Sequence, residues 1–321
     1  MSVNNVVTYS PAFTLVPTYE CFNRCTYCNF RVEPQQDSWL SLAEAKAKLR
    51  NCPAQTIEIL LLSGEIHPKS HRRTAWVHRL SGLAQQTLAG GFLPHTNAGP
   101  LNEREMAQLK TVNVSMGLML EQLTPQLRQT VHRQAPSKEP ALRLQQLEQA
   151  GKLRIPFTTG LLLGIGESST DRVETLQAIA ESHRRWGHIQ EVILQPYSPG
   201  HQEAWQCNPF DLLKLPPLVA LAREILPVDI VIQIPPNLVQ VPTILLECIV
   251  QGARDLGGIL PKDEVNPDYK HDDLDKLQDF LATNGWELRP RLPLYPKHYD
   301  WLSADLRNAV NSHLATNVTG T

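Results

Sequence analysis

The chain has 321 residues, 42% of them hydrophobic and 19% charged, which suits a folded protein with one large core or two modest ones and excludes a disordered chain. A net charge of -2 and a pI near 6.6 give no broad positive field, so neither nucleic acid nor a membrane surface is expected as a partner, and a small molecule is. The first twenty residues hold no Lys or Arg and are broken by Pro11 and Pro17, so no secretory leader is expected and the protein reads as cytoplasmic.

In chain order, apolar runs bounded by turn residues predict strands at 13–16, 56–62, 91–93, 111–116, 157–163, 189–194, 228–232 and 255–258. These runs are too short to span a bilayer. Ser41 with Glu44 has the form of a capping box and opens a helix that Pro53 stops; further helices are expected at 74–89, 140–149 and 169–185. Eight strands with intervening helices predict an α/β fold, a closed or nearly closed parallel β/α barrel of the TIM type; an open doubly wound sheet shares the same local alternation. The barrel is expected to occupy residues 1–260. Residues 261–321, acidic and proline-rich, read as an extension packed on it, with an amphipathic helix in "DDLDKLQDFLATNG" and an extended wrap at "RPRLPLYPKHYD".

Three of the six cysteines crowd into "CFNRCTYC" after the first predicted strand, which in a reducing compartment points to a metal or cluster site. Cys21, Cys25 and Cys28 can hold three irons of a 4Fe-4S cubane and leave the fourth open to an exogenous ligand. A zinc site completed by His67 or His95 is the alternative. Cys52, Cys207 and Cys248 stand alone and read as buried thiols.

This spacing, with Tyr27 before the last cysteine, resembles the radical S-adenosylmethionine superfamily. The resemblance implies one 4Fe-4S cluster held by the three cysteines and by an exchangeable S-adenosylmethionine, whose reductive cleavage gives a 5′-deoxyadenosyl radical. "LLSGEIHP" resembles the superfamily's Gly-Gly-Glu motif with Ser63 in place of the first glycine; Gly64 allows close backbone approach and Glu65 can accept from an ammonium group. Ser115 and Glu121 in "NVSMGLMLEQL" are candidates for the cofactor's ribose or amino-acid part. Arg143 could pair with its carboxylate or be a solvated helix charge. Gly164 and Gly166 in "TTGLLLGIGES" could let backbone amides approach its adenine or ribose.

The strings "LPHTNAG", "SMGLMLE", "HRQAPSKEPALRL", "IPFTTGLLLGIGES", "GHIQEVILQ", "PPNL", "DLGG" and "VNPD" narrow the resemblance to the CofG family of 7,8-didemethyl-8-hydroxy-5-deazariboflavin synthases. That family implies a lyase acting on 5-amino-5-(4-hydroxybenzyl)-6-(D-ribitylimino)-5,6-dihydrouracil, with ring closure and release of ammonia. It also implies a CofH-type companion that makes this tyrosine–uracil adduct, and a reducing electron donor. Asn97, Tyr197 and Asp255 are candidate substrate contacts, and Asp255, His95 and His132 are candidate general bases. Pro196-Tyr197 and Arg254 depart from the family pattern where substrate is expected to lie. The remaining alternatives are the companion coupling reaction, another radical enzyme on this scaffold, and a zinc-binding or non-catalytic protein.

Overall fold

In the computed structural model, which describes residues 5–202, 207–259, 261–271 and 273–318, the alternation of strands and helices closes on itself. β1 (Val6–Leu15), β2 (Glu58–Leu62), β3 (Leu93–Asn97), β4 (Ser115–Gly117), β5 (Phe157–Leu163), β6 (Ile189–Pro196), β7 (Val231–Gln233) and β8 (Ala253–Ile259) pair in parallel and in chain order. β1 pairs with both β8 and β2, so the sheet is a closed barrel and the open doubly wound alternative falls away. Outside it run α1 (Leu42–Arg50), α2 (Arg73–Ala89), α3 (Glu103–Lys110), α4 (Pro140–Lys152), α5 (Ser169–Trp186), α6 (Leu215–Ile225) and α7 (Pro242–Val250). The capping box of Ser41 and Glu44 starts α1, and Asn102 with Glu105 and Ser168 with Asp171 start α3 and α5 in the same way. Each satisfies amides that the first helical turn leaves without partners. β5 is buried along its whole length, as a parallel strand sandwiched between helices and barrel interior must be.

The strand limits differ from those expected, and the differences move side chains between layers. β3 runs to Asn97, so His95 and Thr96 are strand residues and not part of a loop. β4 begins at Ser115, close to where it was expected to end, and Asp255 sits low in β8, which begins at Ala253. Short apolar runs mark that a strand exists better than where it starts.

Residue 260, the expected end of the barrel, lies outside the described residues. Beyond it, α8 (Leu274–Thr283) leads to β9 (Glu287–Pro290), which pairs in parallel with Val6–Tyr9 at the start of β1, and the described chain ends in α9 (Ala304–Val318). The stretch expected as an extended wrap turns into the lower mouth of the barrel. Arg291 binds Asp255 through two nitrogens (2.6 and 2.7 Å) and also pairs with Glu191. Glu191 further accepts from Tyr295 Oη (3.0 Å) and Thr158 Oγ1 (3.0 Å), and Thr8 donates to Asp255. The Pro293 carbonyl accepts from Ser115 Oγ (2.6 Å) and Gln190 Nε2 (3.1 Å). Burial pushes the Glu191 carboxyl up against the pull of Arg291, and Asp255 adds to the rise. No helix among the described residues is long and apolar enough to cross a membrane.

His188, just before β6, and His298, in the turn Pro296–Trp301, are 0% and 1% exposed, and neither ring nitrogen of either has a well-formed hydrogen bond. Burial pulls both imidazoles down to about 3. The unfolded chain takes up these protons near pH 6.5 while the folded chain refuses them, so the stability they permit is full above pH 6.5 and falls as pH drops toward 3. Each contributes a slope of up to about 1.4 kcal/mol per pH unit. Melting temperatures between pH 6.5 and 5 are expected to fall in the native chain and to fall less in the His188→Leu/His298→Leu variant. An identical pH slope in both proteins would contradict this.

Candidate active site

The C-terminal ends of a parallel barrel's strands are where its loops can build a site, and here the loop after β1 carries all three clustered thiols. Its path is fixed by backbone bonds on two sides. On one side Gly64 N donates to Thr18 O (2.8 Å) and Phe22 N to Glu65 O (3.0 Å); on the other Arg24 N donates to Gln134 O (2.8 Å) and Thr26 N to Val131 O (3.1 Å). Gly64 is required by this docking, since a Cβ there would lie 2.1 Å from the Glu20 carbonyl oxygen. Buried Glu20 is held in turn by both terminal nitrogens of Arg72 (2.6 and 3.1 Å).

The loop forms one wall of a cavity of about 340 Å³, within the range of small-molecule sites. Cys21, Cys25, Cys28, Tyr27, Ser63, Gly64, Glu65, Asn97, Glu121, Arg143 and Tyr197 all line it, so most of the residues singled out in the sequence meet in one place. Glu65 accepts from Asn23 Nδ2 (2.9 Å) and from Arg143 Nη2 (3.3 Å), and Asn23 Oδ1 accepts from Ser137 N (3.1 Å). Arg143 is not a solvated helix charge: it is 2% exposed and also donates to Ser137 O (2.9 Å) and Met119 O (2.5 Å). Lys138 pairs with Glu121 at 2.6 Å; burial works against its charge, but Glu121 and the other negative groups nearby carry its pKa above the usual value.

Several expected residues are elsewhere. Asp255 is bound by Arg291 and Thr8 beneath the cavity, which it does not line, and its Oδ1 also accepts from Gly257 N (2.7 Å). Ser115 and His95 bond each other (2.7 Å) beneath the cavity, and Ser115 reaches Pro293 and not a cofactor. His132 lies behind the cysteine loop against Tyr27 Oη (2.9 Å), and burial pulls it to about 3, so it is a poor base at neutral pH. Gly164 and Gly166 do not line the cavity; the amides of Gly164 and Ile165 are already taken by Glu167 (both 2.8 Å). Arg254 points away from the cavity, capping Ile249 O (2.5 Å) and stacking on Trp286, so this departure does not touch the site. Of the lone thiols, Cys248 is buried and Cys52 half-buried, whereas Cys207 is exposed.

Sequence reasoning passed over Asn23, Lys138, Gln195, Gln233, Asn237, Asp263 and Asn266, all of which face the cavity. Lys138 falls inside the family-like string "HRQAPSKEPALRL", but a lysine in a loop has no distinguishing signal until its burial is seen.

Comparison with known proteins agrees with this geometry. Residues 15–179 match the model of the radical SAM superfamily. A protein of Synechococcus elongatus named 7,8-didemethyl-8-hydroxy-5-deazariboflavin synthase is 63% identical over 96% of this chain and 92% of its own length. A protein of the same name from Thermosynechococcus vestitus is 62% identical, covering 96% of this chain and 98% of its own. This chain belongs to the 7,8-didemethyl-8-hydroxy-5-deazariboflavin synthase family of the radical SAM superfamily. Among solved structures, the hydrogenase maturase HydG from Carboxydothermus hydrogenoformans (TM-score 0.74, 19% identity, 99% of this chain and 79% of that one) shares the fold. So does methylornithine synthase, PylB (TM-score 0.67, 14% identity, 90% and 85%).

Membership in the radical SAM superfamily implies a 4Fe-4S cluster and S-adenosylmethionine, and the donor chemistry fits them. Burial pushes the Cys21 thiol up to about 11 and Cys25 to about 12, so these sulfurs become thiolates when a metal supplies the compensating charge. Among the described residues no three His, Cys, Asp or Glu side chains are gathered to hold a single metal ion as they stand, and His67 and His95, the expected fourth zinc ligands, do not line the cavity. Replacing Cys25 by Ala is expected to abolish iron incorporation after anaerobic reconstitution, whereas Cys248→Ala retains it; iron content per chain is the readout. Full iron loading of Cys25→Ala would remove this loop from the site.

Proposed function

We propose that this chain forms 7,8-didemethyl-8-hydroxy-5-deazariboflavin from 5-amino-5-(4-hydroxybenzyl)-6-(D-ribitylimino)-5,6-dihydrouracil, releasing ammonia as a carbon–nitrogen lyase. The observation that carries the reading is a single cavity at the catalytic end of the barrel. It joins a three-thiol loop and a Glu65–Arg143 pair to apolar walls and a set of side-chain amides. The names of relatives at 62–63% identity supply the product.

When bound, the cluster and S-adenosylmethionine supply a 5′-deoxyadenosyl radical as the hydrogen-abstracting group. The chain's own residues do the rest. Cys21, Cys25 and Cys28 would hold the cluster, with the cofactor as its exchangeable further ligand. Glu65 and Arg143 offer opposite charges at one spot, matching the ammonium and carboxylate of an amino acid, with Lys138 and Glu121 as a second such pair. Leu60, Leu62, Leu118, Leu162, Ile193 and Leu256 make the wall that keeps water from a reactive radical. Asn97 and Tyr197 remain as substrate contacts by position. The lining carboxylates and amides hold the adduct with its benzyl and ribityl arms in one reactive geometry, which is where most of the rate is expected to arise. A companion enzyme of the CofH type would deliver the adduct, and a reducing electron donor would bring the cluster to its active, reduced state.

The test supplies the holoprotein, anaerobically, with the adduct, S-adenosylmethionine and a low-potential reductant. Fluorescent deazaflavin, 5′-deoxyadenosine and ammonia are expected to appear together. Deoxyadenosine without fluorescence would assign the radical to a different substrate.

A further inference from the structure

Two sets of polar side chains stand on opposite sides of the cavity, whose lining also holds Arg31, Asn237, Asp263 and Asn266. The charged set, Glu65, Glu121, Lys138 and Arg143, gathers beside the thiol loop and comes from the segments after β2 and β4 and from α4. Most of its members are bound to one another. The second set is uncharged: Gln195 on β6 and Gln233 on β7 both face the cavity and are half-buried. Neither side-chain amide has a hydrogen-bond partner among the described residues, which sets them apart from Asn237 and Asn266 nearby, whose amides are bound to Asp263 (2.8 and 3.3 Å).

Both side-chain amides leave donors and acceptors open to the cavity, and a ligand that displaces water from them must take up those hydrogen bonds. Their placement says what kind of ligand. Ile193 is the register partner of Gln233, so Gln195 stands one inward-facing position further along the adjacent strand, about 7 Å up the barrel. Gln233 is also seated: Gly257, at φ +71°, leaves the space its amide occupies, and a Cβ there would lie 2.2 Å from Gln233 Nε2. Each carboxamide presents a donor and an acceptor in one plane, the complement of a cyclic imide or ureide edge, where a ring N–H is flanked by carbonyls. Two such amides, staggered on neighbouring strands, can take one pyrimidinedione ring between them and fix its rotation.

We propose that Gln195 and Gln233 are the residues that read the pyrimidinedione ring of substrate and product. The proposal rests on the reading of function above and names which part of the substrate this half of the cavity takes.

The deazaflavin product keeps the pyrimidinedione ring, so its own fluorescence reports binding to the holoprotein without turnover. The probes are 7,8-didemethyl-8-hydroxy-5-deazariboflavin and its N3-methyl derivative, titrated into the native chain, Gln233→Ala and Gln195→Ala under anaerobic conditions. The native chain is expected to bind the unmethylated product at least about tenfold more tightly than the methylated one, the worth of one or two neutral hydrogen bonds. Each substitution is expected to weaken the unmethylated product and to shrink that ratio toward one, and the two variants guard against a fold defect in either. A ratio unchanged in both variants overturns the proposal. So does a loss of S-adenosylmethionine affinity with product binding intact, which would assign the amides to the cofactor's adenine. If the native chain binds neither deazaflavin and converts no adduct, it is the reading of function that fails.

Discussion

Arg291 closes the lower mouth of the barrel, and the site at the other end depends on that closure. Its guanidinium is shared by Asp255 and Glu191, two carboxylates from strands of the same barrel that would repel each other without it. The arginine reaches them only because β9 pairs with the first turns of β1 and delivers the following residues inward. An interior with Ser10, Glu58, His95, Ser115, Thr158, Glu191 and Asp255 buried in it is unusually polar for a small barrel; Ser10 with Glu58 and His95 with Ser115 pair among the strands, and the C-terminal segment supplies partners for Ser115, Glu191 and Asp255.

At the upper end the organising contact is between backbones. The thiol loop lies on the Gly64–Glu65 segment so closely that no side chain fits at position 64, and this approach brings the Glu65 carboxylate next to Asn23 within the loop. One glycine thus ties the position of the cluster ligands to the position of the group that faces the amino-acid end of the cofactor. The roof is tied to the same loop: Tyr19 Oη donates to Glu264 (2.8 Å) and Asn29 Nδ2 to Asp268 (3.0 Å). Residues beyond 260 therefore serve both ends of the barrel, with Arg291 below and Asp263, Val265 and Asn266 lining the cavity above.

The fold was legible because parallel strands buried on both faces leave continuous apolar runs. The thiol loop was legible because three cysteines crowded within eight residues are suited to a metal or a cluster. What the sequence did not disclose was depth. His95, Ser115 and Asp255 were expected at the mouth, and all three lie lower, since a shift of two or three residues in a strand limit is a full layer of side chains. Arg291 was unreadable for a related reason: its segment has the composition of a surface strap, and only the pairing of β9 with β1 turns it inward. The two glutamines carry no motif at all. Their significance comes from having no hydrogen-bond partner among the described residues, in a wall where Asn237 and Asn266 have one.

The proposed function stands on three thiols of this loop holding a cluster with one iron open to S-adenosylmethionine. Electron paramagnetic resonance of the reconstituted, reduced protein decides the point, recorded before and after S-adenosylmethionine is added. About four irons per chain are expected, with a reduced-cluster signal that shifts on addition as a new ligand enters the open position. Zinc in place of iron, or a cluster signal indifferent to S-adenosylmethionine, would refute it.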